Sequence, residues 1–453
     1  MPSADVAAKA SREAEPYAPI FPADEFVARR ARVLDAIGDG AYALLQGAGP
    51  VAAYDVFRQS NDFQYLCGVE EPHALLLLDG SSKATTLYLP PHGRSADSQE
   101  EPRLGLEDAE AIQRLFGIER VCAPEQLLGS VREARVLYIP HAPAEGALAS
   151  RDVLCAAGRA GANDPWDSRL TREAHFVGLV RSRFPRLEVR DLSPILDRFR
   201  LVKSPREVDV LRRAAQLSAQ AVVEAMRSTQ PGVIEYELAA LAKFVFERHG
   251  ARGPGYRAIV AGGGNAWYPH YCSNQCPLSD GDLVLMDCAP DYHYYTSDIG
   301  RMWPVNGTYN APQRDLYGFI VEYHKAVLAR IRPGVMAAQV LDEAAEHMAG
   351  TVQGWAFSKQ VYRQAAERTL EFRGHLSHPV GMAVHDVGDY HDEPLAPGTV
   401  FTVDPQMWVP EERLYVRVED TVVLTDEGVE VLTGAAPLDL DDVERLMREP
   451  GPL

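Results

Sequence analysis

Three apolar runs end in, or enclose, a carboxylate that a buried strand has no use for. Asp287 follows Leu283, Val284, Leu285 and Met286. Asp404 follows Phe401, Thr402 and Val403, and Glu419 lies among Val416, Val418, Val422 and Val423. Asp298 sits inside a further apolar run, HYYTSDIGRMWPV. A buried carboxylate must be paired, hydrogen-bonded or bound to a cation. Several that converge repel one another unless a cation neutralises them. The segment GHLSHPVGMAVHDVGDYHDEP adds His375, His378, His385 and His391 among glycines and a proline. Carboxylates mixed with imidazoles suit Mn, Zn, Co or Fe rather than Ca. Any one of these acids, taken singly, reads equally well as a helix cap or a salt-bridge partner; the cluster is what points to metal.

The elements that would hold these groups follow from the hydrophobic pattern. In RLYVRVED side chains alternate, so Tyr415, Arg417, Glu419 and Thr421 share a face, and Arg417 can orient a ligand Glu419. GDLVLMDCAP and HYYTSDIGRMWPV read as two strands joined by a loop centred on Pro290-Asp291, a hairpin carrying Asp287 and Asp298. Two further strands, TVFTVDP and RLYVRVEDTVVLT, close the chain. Helices are expected over Gln313–Arg330 and Ala337–Gln353. Ser204-Pro205-Arg206-Glu207 is a strong helix start, with a cap, a proline in the first turn and a capping box. The next helix, IEYELAALAKFVFERHG, stops at Gly250.

Upstream, AYALLQG, HALLLLD, TTLYLP and ARVLYIP read as short strands, and FVARRARVLDAI and LEDAEAIQRLFG as helices, the latter closing on Gly117. This alternation implies an α/β domain. The organisation expected is an arm over 1–20, an α/β domain over 21–190, a linker over 191–203 and a catalytic domain over 204–453.

Composition narrows the classes. The chain has 453 residues, 46% hydrophobic and 24% charged, with a net charge of −19. That charge argues against a nucleic-acid partner, which feeds on clustered Lys and Arg. No run reaches the ~18 apolar residues of a membrane span, and the N-terminus lacks the apolar core of a secretory signal. Six scattered cysteines suit a reducing, cytoplasmic compartment. Cys272 and Cys276 lack a second pair and read as small buried thiols, not a zinc knuckle. Gly262-Gly263-Gly264 lacks the Lys-Ser/Thr of a phosphate loop, and no G-x-S-x-G or H-E-x-x-H is present.

From about Phe57 to Leu424 the chain resembles the pita-bread metallopeptidases, and among them the Xaa-Pro aminopeptidases (aminopeptidase P). RQSNDFQYLCGVEEPHALLLL is similar to the family's N-domain signature. RLVKSPREVDVLRRAA, YRAIVAGGGNAWYPHYCSN, GDLVLMDCAPDYHYYTSDIGRMWPVNG and LSHPVGMAVHDVG are similar to its catalytic blocks, in the same order. The resemblance implies an α+β protein with a creatinase-like N-terminal α/β domain and a pita-bread domain on a curved antiparallel sheet. It implies two divalent cations, Mn²⁺ with Zn²⁺ or Co²⁺ as alternatives. Asp287 would chelate one, Asp298 and Glu419 would bridge both, and His378 with Asp404 would complete the second. His270 and His385 match histidines that position substrate and stabilise the oxyanion, and Arg417 matches an arginine two residues before the bridging Glu. Two cations ~3.5–4 Å apart can hold a hydroxide and polarise the scissile carbonyl. A carboxylate, here Asp404, then shuttles a proton to the proline nitrogen.

Two departures stand out. The family has Glu where this chain has Asp404, one methylene shorter. It also has a histidine four residues before His378, where this chain has Gly374, so that His375 becomes the candidate substrate contact. Trp408 is a candidate for the proline pocket, with a core tryptophan as the plainer reading. The expected activity is removal of an N-terminal residue that precedes proline, by a homodimer or homotetramer. Xaa-Pro dipeptidase (prolidase) is the enzyme alternative. Creatine-cleaving relatives work without metal, and a filled ligand set argues against them. A non-catalytic binding module is the alternative from another class, but it would have lost ligands.

Overall fold

The computed structural model describes residues 19–51, 55–92, 103–132 and 134–453, so the expected arm lies almost wholly outside the described residues. Two compact units emerge. One ends at Phe199, and the other begins at Arg200 and includes Ala147–Ser150. The division falls within the helix Ser193–Leu201, so the segment expected as a linker is mostly helical.

The first unit is built on a six-stranded sheet of β1 (Ala41–Gln46), β2 (Leu75–Asp79), β3 (Ala84–Tyr88), β4 (Arg120–Cys122), β5 (Val136–Ile139) and β6 (Glu188–Asp191), ordered β4-β3-β2-β1-β5-β6. The β1–β2 and β2–β3 pairs are antiparallel, while β3–β4, β1–β5 and β5–β6 are parallel. The run Leu75–Asp79 is buried at its centre, as its unbroken leucines require. Gly117 ends the helix Ala109–Phe116 in a left-handed conformation (φ 63°), which costs glycine little. Helices Arg151–Asn163 and Arg172–Arg183 were not legible in the pattern. The first buries only Arg151 and the second only Val177 and Val180, too little apolar surface to print a periodicity.

The second unit opens with the helix Pro205–Ser228. Ser204 Oγ accepts from Glu207 N (3.2 Å), and Ser204 N donates back to Glu207 Oε2 (3.0 Å). That reciprocal pair satisfies two of the donors a helix start leaves open. The helix Glu235–Arg248 follows. The sheet consists of β7 (Ile259–Gly262), β8 (Leu283–Asp287), β9 (Ile299–Pro304), β10 (Leu376–Pro379), β11 (Val400–Val403), β14 (Glu419–Thr425) and β15 (Gly428–Val431). Its order is β10-β11-β14-β9-β8-β7, with β15 beside β14 and every pair antiparallel. A separate hairpin joins β12 (Gln406–Val409) to β13 (Leu414–Arg417). Helices Ala311–Leu328, Ala337–Gly354 and Gln360–Glu371 pack with the sheet around one core that includes Leu217, Phe246, Leu285, Trp303, Ile320 and Leu341. No helix among the described residues is long and apolar enough to cross a membrane.

Candidate metal centre

The strand order explains why acids so far apart in sequence meet. In β10-β11-β14-β9-β8, five neighbouring strands each supply one candidate. His378 lies on β10, Asp404 just past β11, Glu419 at the start of β14, Asp298 just before β9, and Asp287 at the end of β8. Asp287 pairs with Gly300 across β8–β9, and Glu419 pairs with Gly300 across β14–β9. A side chain at Gly300 would begin 3.0 Å from Glu419 Cβ and 3.1 Å from Arg417 Nε, so a larger residue would crowd the place where the carboxylates converge.

Side-chain atoms of Asp298, His378 and Glu419 lie within 4.8 Å of one another. His378 Nε2 is 3.5 Å from Asp298 Oδ2 and 3.8 Å from Glu419 Oε1. Asp287, Asp298, Asp404 and Glu419 are all buried. Arg417 Nη2 is ion-paired with Asp287 and, at 2.7 Å, with Glu419 Oε2, and Arg417 Nε is 3.9 Å from Asp404 Oδ1. The expected support of Glu419 by Arg417 is therefore present, and it extends to Asp287. Thr421 Oγ1 accepts from Asp298 N (2.7 Å) and donates to Asp298 O (2.8 Å), fixing the backbone beside that acid.

The electrostatics are those of a centre built for positive charge. Burial, and then the neighbouring Asp287 charge, pushes the Asp298 carboxyl well above the usual range. Burial likewise raises Asp404 and Glu419, against the opposing pull of Arg417. Burial lowers His378, keeping the imidazole neutral and able to ligate. Asp404 Oδ1 has no hydrogen-bond partner, and Glu419 Oε2 has none beyond its ion pair with Arg417. Buried acceptors left open in this way, beside a neutral imidazole, fit divalent cations.

The other expected residues divide. His385 packs on His378 with ring centroids 4.2 Å apart, and His270 lies 6.4 Å from His385, so both border the centre. Trp408 is half-buried on β12, against Phe372 and Tyr415. Gln406 and Trp408 lie opposite Arg417 and Tyr415, so Trp408 shares a hairpin face with Arg417. His375 is a correction. It is fully buried, its Nε2 is 2.9 Å from Thr369 O, and its Nδ1 accepts from Gln406 N at 3.2 Å. With both nitrogens committed to backbone, it cannot contact substrate. Cys276 is a second correction: its thiol is exposed, not buried, while its N–H is held by Glu235 Oε2 at 2.9 Å.

Two site residues were missed by sequence reasoning. Tyr256 Oη lies 2.6 Å from Asp298 Oδ1 and is hydrogen-bonded to Asp287 as well. Gln406 Nε2 donates to Asp404 Oδ2. Neither carried a signal, because an isolated Tyr or Gln beside a strand is commonplace.

Residues 209–426 match the family model "Metallopeptidase family M24", and residues 26–134 match "Aminopeptidase P, N-terminal domain". The Xaa-Pro aminopeptidase of Escherichia coli (strain K12) is 32% identical over 449 residues, covering 93% of this chain and 97% of that one. The solved proline aminopeptidase P II from Yersinia pestis superposes with a TM-score of 0.77 at 31% identity, covering 94% of this chain and 100% of that one. The Zn-substituted E. coli aminopeptidase P in complex with product gives a TM-score of 0.75 at 30% identity, covering 94% of this chain and 98% of that one.

Proposed function

The chain belongs to the Xaa-Pro aminopeptidases of metallopeptidase family M24, and on that footing we propose a dinuclear centre, with Mn²⁺ as the working metal, in which each buried group has a defined task. The observation that carries this reading is the convergence of Asp298, His378 and Glu419 within 4.8 Å, beside the open acceptor on Asp404. Asp287, Asp298 and Glu419 would hold one cation, and Asp298, Glu419, His378 and Asp404 the other. When bound, the cations supply Lewis acidity to the scissile carbonyl and lower the pKa of water.

The chain's own residues do the rest. Arg417 stays protonated: burial opposes its charge, but Glu419, Asp287 and Asp404 outweigh that. It therefore screens the acids from one another and fixes their orientation. Asp404 accepts the proton of the attacking water and returns it to the proline nitrogen, a role of ~10²–10⁴ in rate. His270 and His385 donate to the oxygen that gains charge in the transition state. Trp408, on the Arg417 face of its hairpin, offers an aromatic wall to the proline ring. The amide before proline lacks an N–H, so selection has to read ring shape and not a backbone donor.

A proline-containing peptide is the partner this mechanism requires. Cytoplasmic residence is part of the proposal, supported by six cysteines that are all free thiols. So is a homodimer or homotetramer, which rests on family likeness. The test is calorimetric titration of chelated protein with Mn²⁺. Two ions per chain are expected, and uptake of one or none contradicts the dinuclear reading.

A further inference from the structure

We propose that Gln406 is a positioning residue for Asp404, and that the two act as a unit in holding a divalent cation. The inference rests on the metal-centre reading above. Asp404 is one methylene shorter than the glutamate of the resembled family, so its carboxylate has less reach. The backbone around it cannot slide to make up the difference. Asp404 N donates to His375 O (2.7 Å), Gln406 N donates to His375 Nδ1 (3.2 Å), and Val418 N donates to Pro405 O (3.3 Å). His375 is itself fixed. Its Nε2 faces the Thr369 carbonyl, so that nitrogen carries the proton and Nδ1 is left as the acceptor.

With the chain held at three points, the direction of the short carboxylate depends on its side-chain partners. Gln406 Nε2 takes Oδ2, and Oδ1 is left without a hydrogen-bond partner, 3.9 Å from Arg417 Nε. One oxygen is thus used for orientation, and the other is free to ligate. The choice of an amide has a physical consequence. It donates a hydrogen bond without adding a positive charge, so the carboxylate keeps its full attraction for a cation. Gln406 also stands directly across the hairpin from Arg417, which holds Asp287 and Glu419. One cross-strand pair, an amide and a guanidinium, therefore orients Asp287, Asp404 and Glu419 together.

The experiment is Mn²⁺ titration of the full-length chelated protein, followed by calorimetry, with thermal melting as a check on folding. Gln406→Ala is expected to bind one of the two ions roughly 10–100-fold more weakly, the usual cost of losing a partner behind a ligand, and the other ion unchanged. Gln406→Met keeps length and removes the donor. It gives the same loss if the amide matters, and wild-type binding if only bulk matters, which would overturn the proposal. In Asp404→Glu the carboxylate moves outward and the amide loses its target. Adding Gln406→Ala to that variant should then cost nothing further, whereas additive losses would show two independent residues and overturn it. Wild-type protein that takes up no Mn²⁺ overturns the metal-centre reading and the proposal with it. Wild-type uptake of two ions with unaltered Gln406 variants overturns the proposal alone.

Discussion

The hydroxyl of Tyr256 lies 2.6 Å from Oδ1 of Asp298 while also bonding Oδ1 of Asp287. A phenol has one proton, so it can donate to only one of these carboxylates at a time. Without a cation, the other contact needs a proton on a carboxyl, and Asp298, pushed well above its ordinary range by burial and by Asp287, is the group suited to carry it. Tyr256→Phe removes the shared donor and keeps the ring. We expect a folded protein whose Mn²⁺ affinity or turnover falls roughly 10–100-fold. Unaltered titration and kinetics would show that the contact is incidental.

Metal binding should strengthen as pH rises. Asp298, Asp404 and Glu419 are all raised in the folded state, above the ~4 of free carboxylates. Their protonated forms favour the metal-free fold, so that contribution is complete below about pH 4 and is lost as pH climbs through the raised values. A cation must displace the same protons. The melting-temperature gap between Mn²⁺-loaded and chelated protein should therefore widen from about pH 5 to about pH 8. Scanning calorimetry at fixed Mn²⁺ checks this, and a flat or narrowing gap contradicts it.

Behind the centre lies a buried network around Asp420. Asp420 accepts from Arg301 Nη2 (2.6 Å) and Thr433 Oγ1 (2.5 Å) and pairs with His324 Nε2 (2.8 Å). Burial works against the charge, yet Arg301 and His324 hold the carboxyl well below its usual range. Arg301 Nη1 also donates to the Glu419 carbonyl at 2.6 Å, linking the network to the metal strand. Asp420→Asn leaves a buried guanidinium without its counter-charge. A loss of about 3–5 kcal/mol is expected in urea denaturation. A loss within ~0.5 kcal/mol would mean the network is not a structural support.

His375 gives an acid limb of a different sign. Burial lowers its pKa to about 4, against ~6.5 in an unfolded chain. The unfolded state takes up a proton that the folded state refuses, so stability is present above about pH 6.5 and is lost as pH falls towards 4. The limb amounts to roughly 3 kcal/mol. His375→Asn should flatten it in denaturation curves taken across that range. A limb of unchanged depth would assign it to other groups.

His375 also marks where the sequence misleads. Its place among four histidines suggests a site, and the pattern cannot show that its ring turns inward between Tyr323 and Phe372. The acids were legible for a physical reason: Asp287, Asp404 and Glu419 break apolar runs, and burying a charge needs a cause. The hairpin β8–β9 was legible as well, although Asp298 falls one residue before β9 and not within it. The strand order was not legible, since pairing β14 with β9 depends on contacts across more than a hundred residues. Tyr256 and Gln406 were invisible because their role exists only once that order brings Asp298 and Asp404 to them.

The proposed cleavage before proline depends on Asp287, Asp298, His378, Asp404 and Glu419 acting together as a metal centre. Its most direct test is hydrolysis by Mn²⁺-loaded protein of an Xaa-Pro-Xaa tripeptide beside an Xaa-Pro dipeptide, with Asp287→Ala as control. Release of the first residue from the tripeptide is expected, dependent on metal and abolished in the variant. Cleavage of the dipeptide alone, or tripeptide cleavage that survives Asp287→Ala, would contradict it.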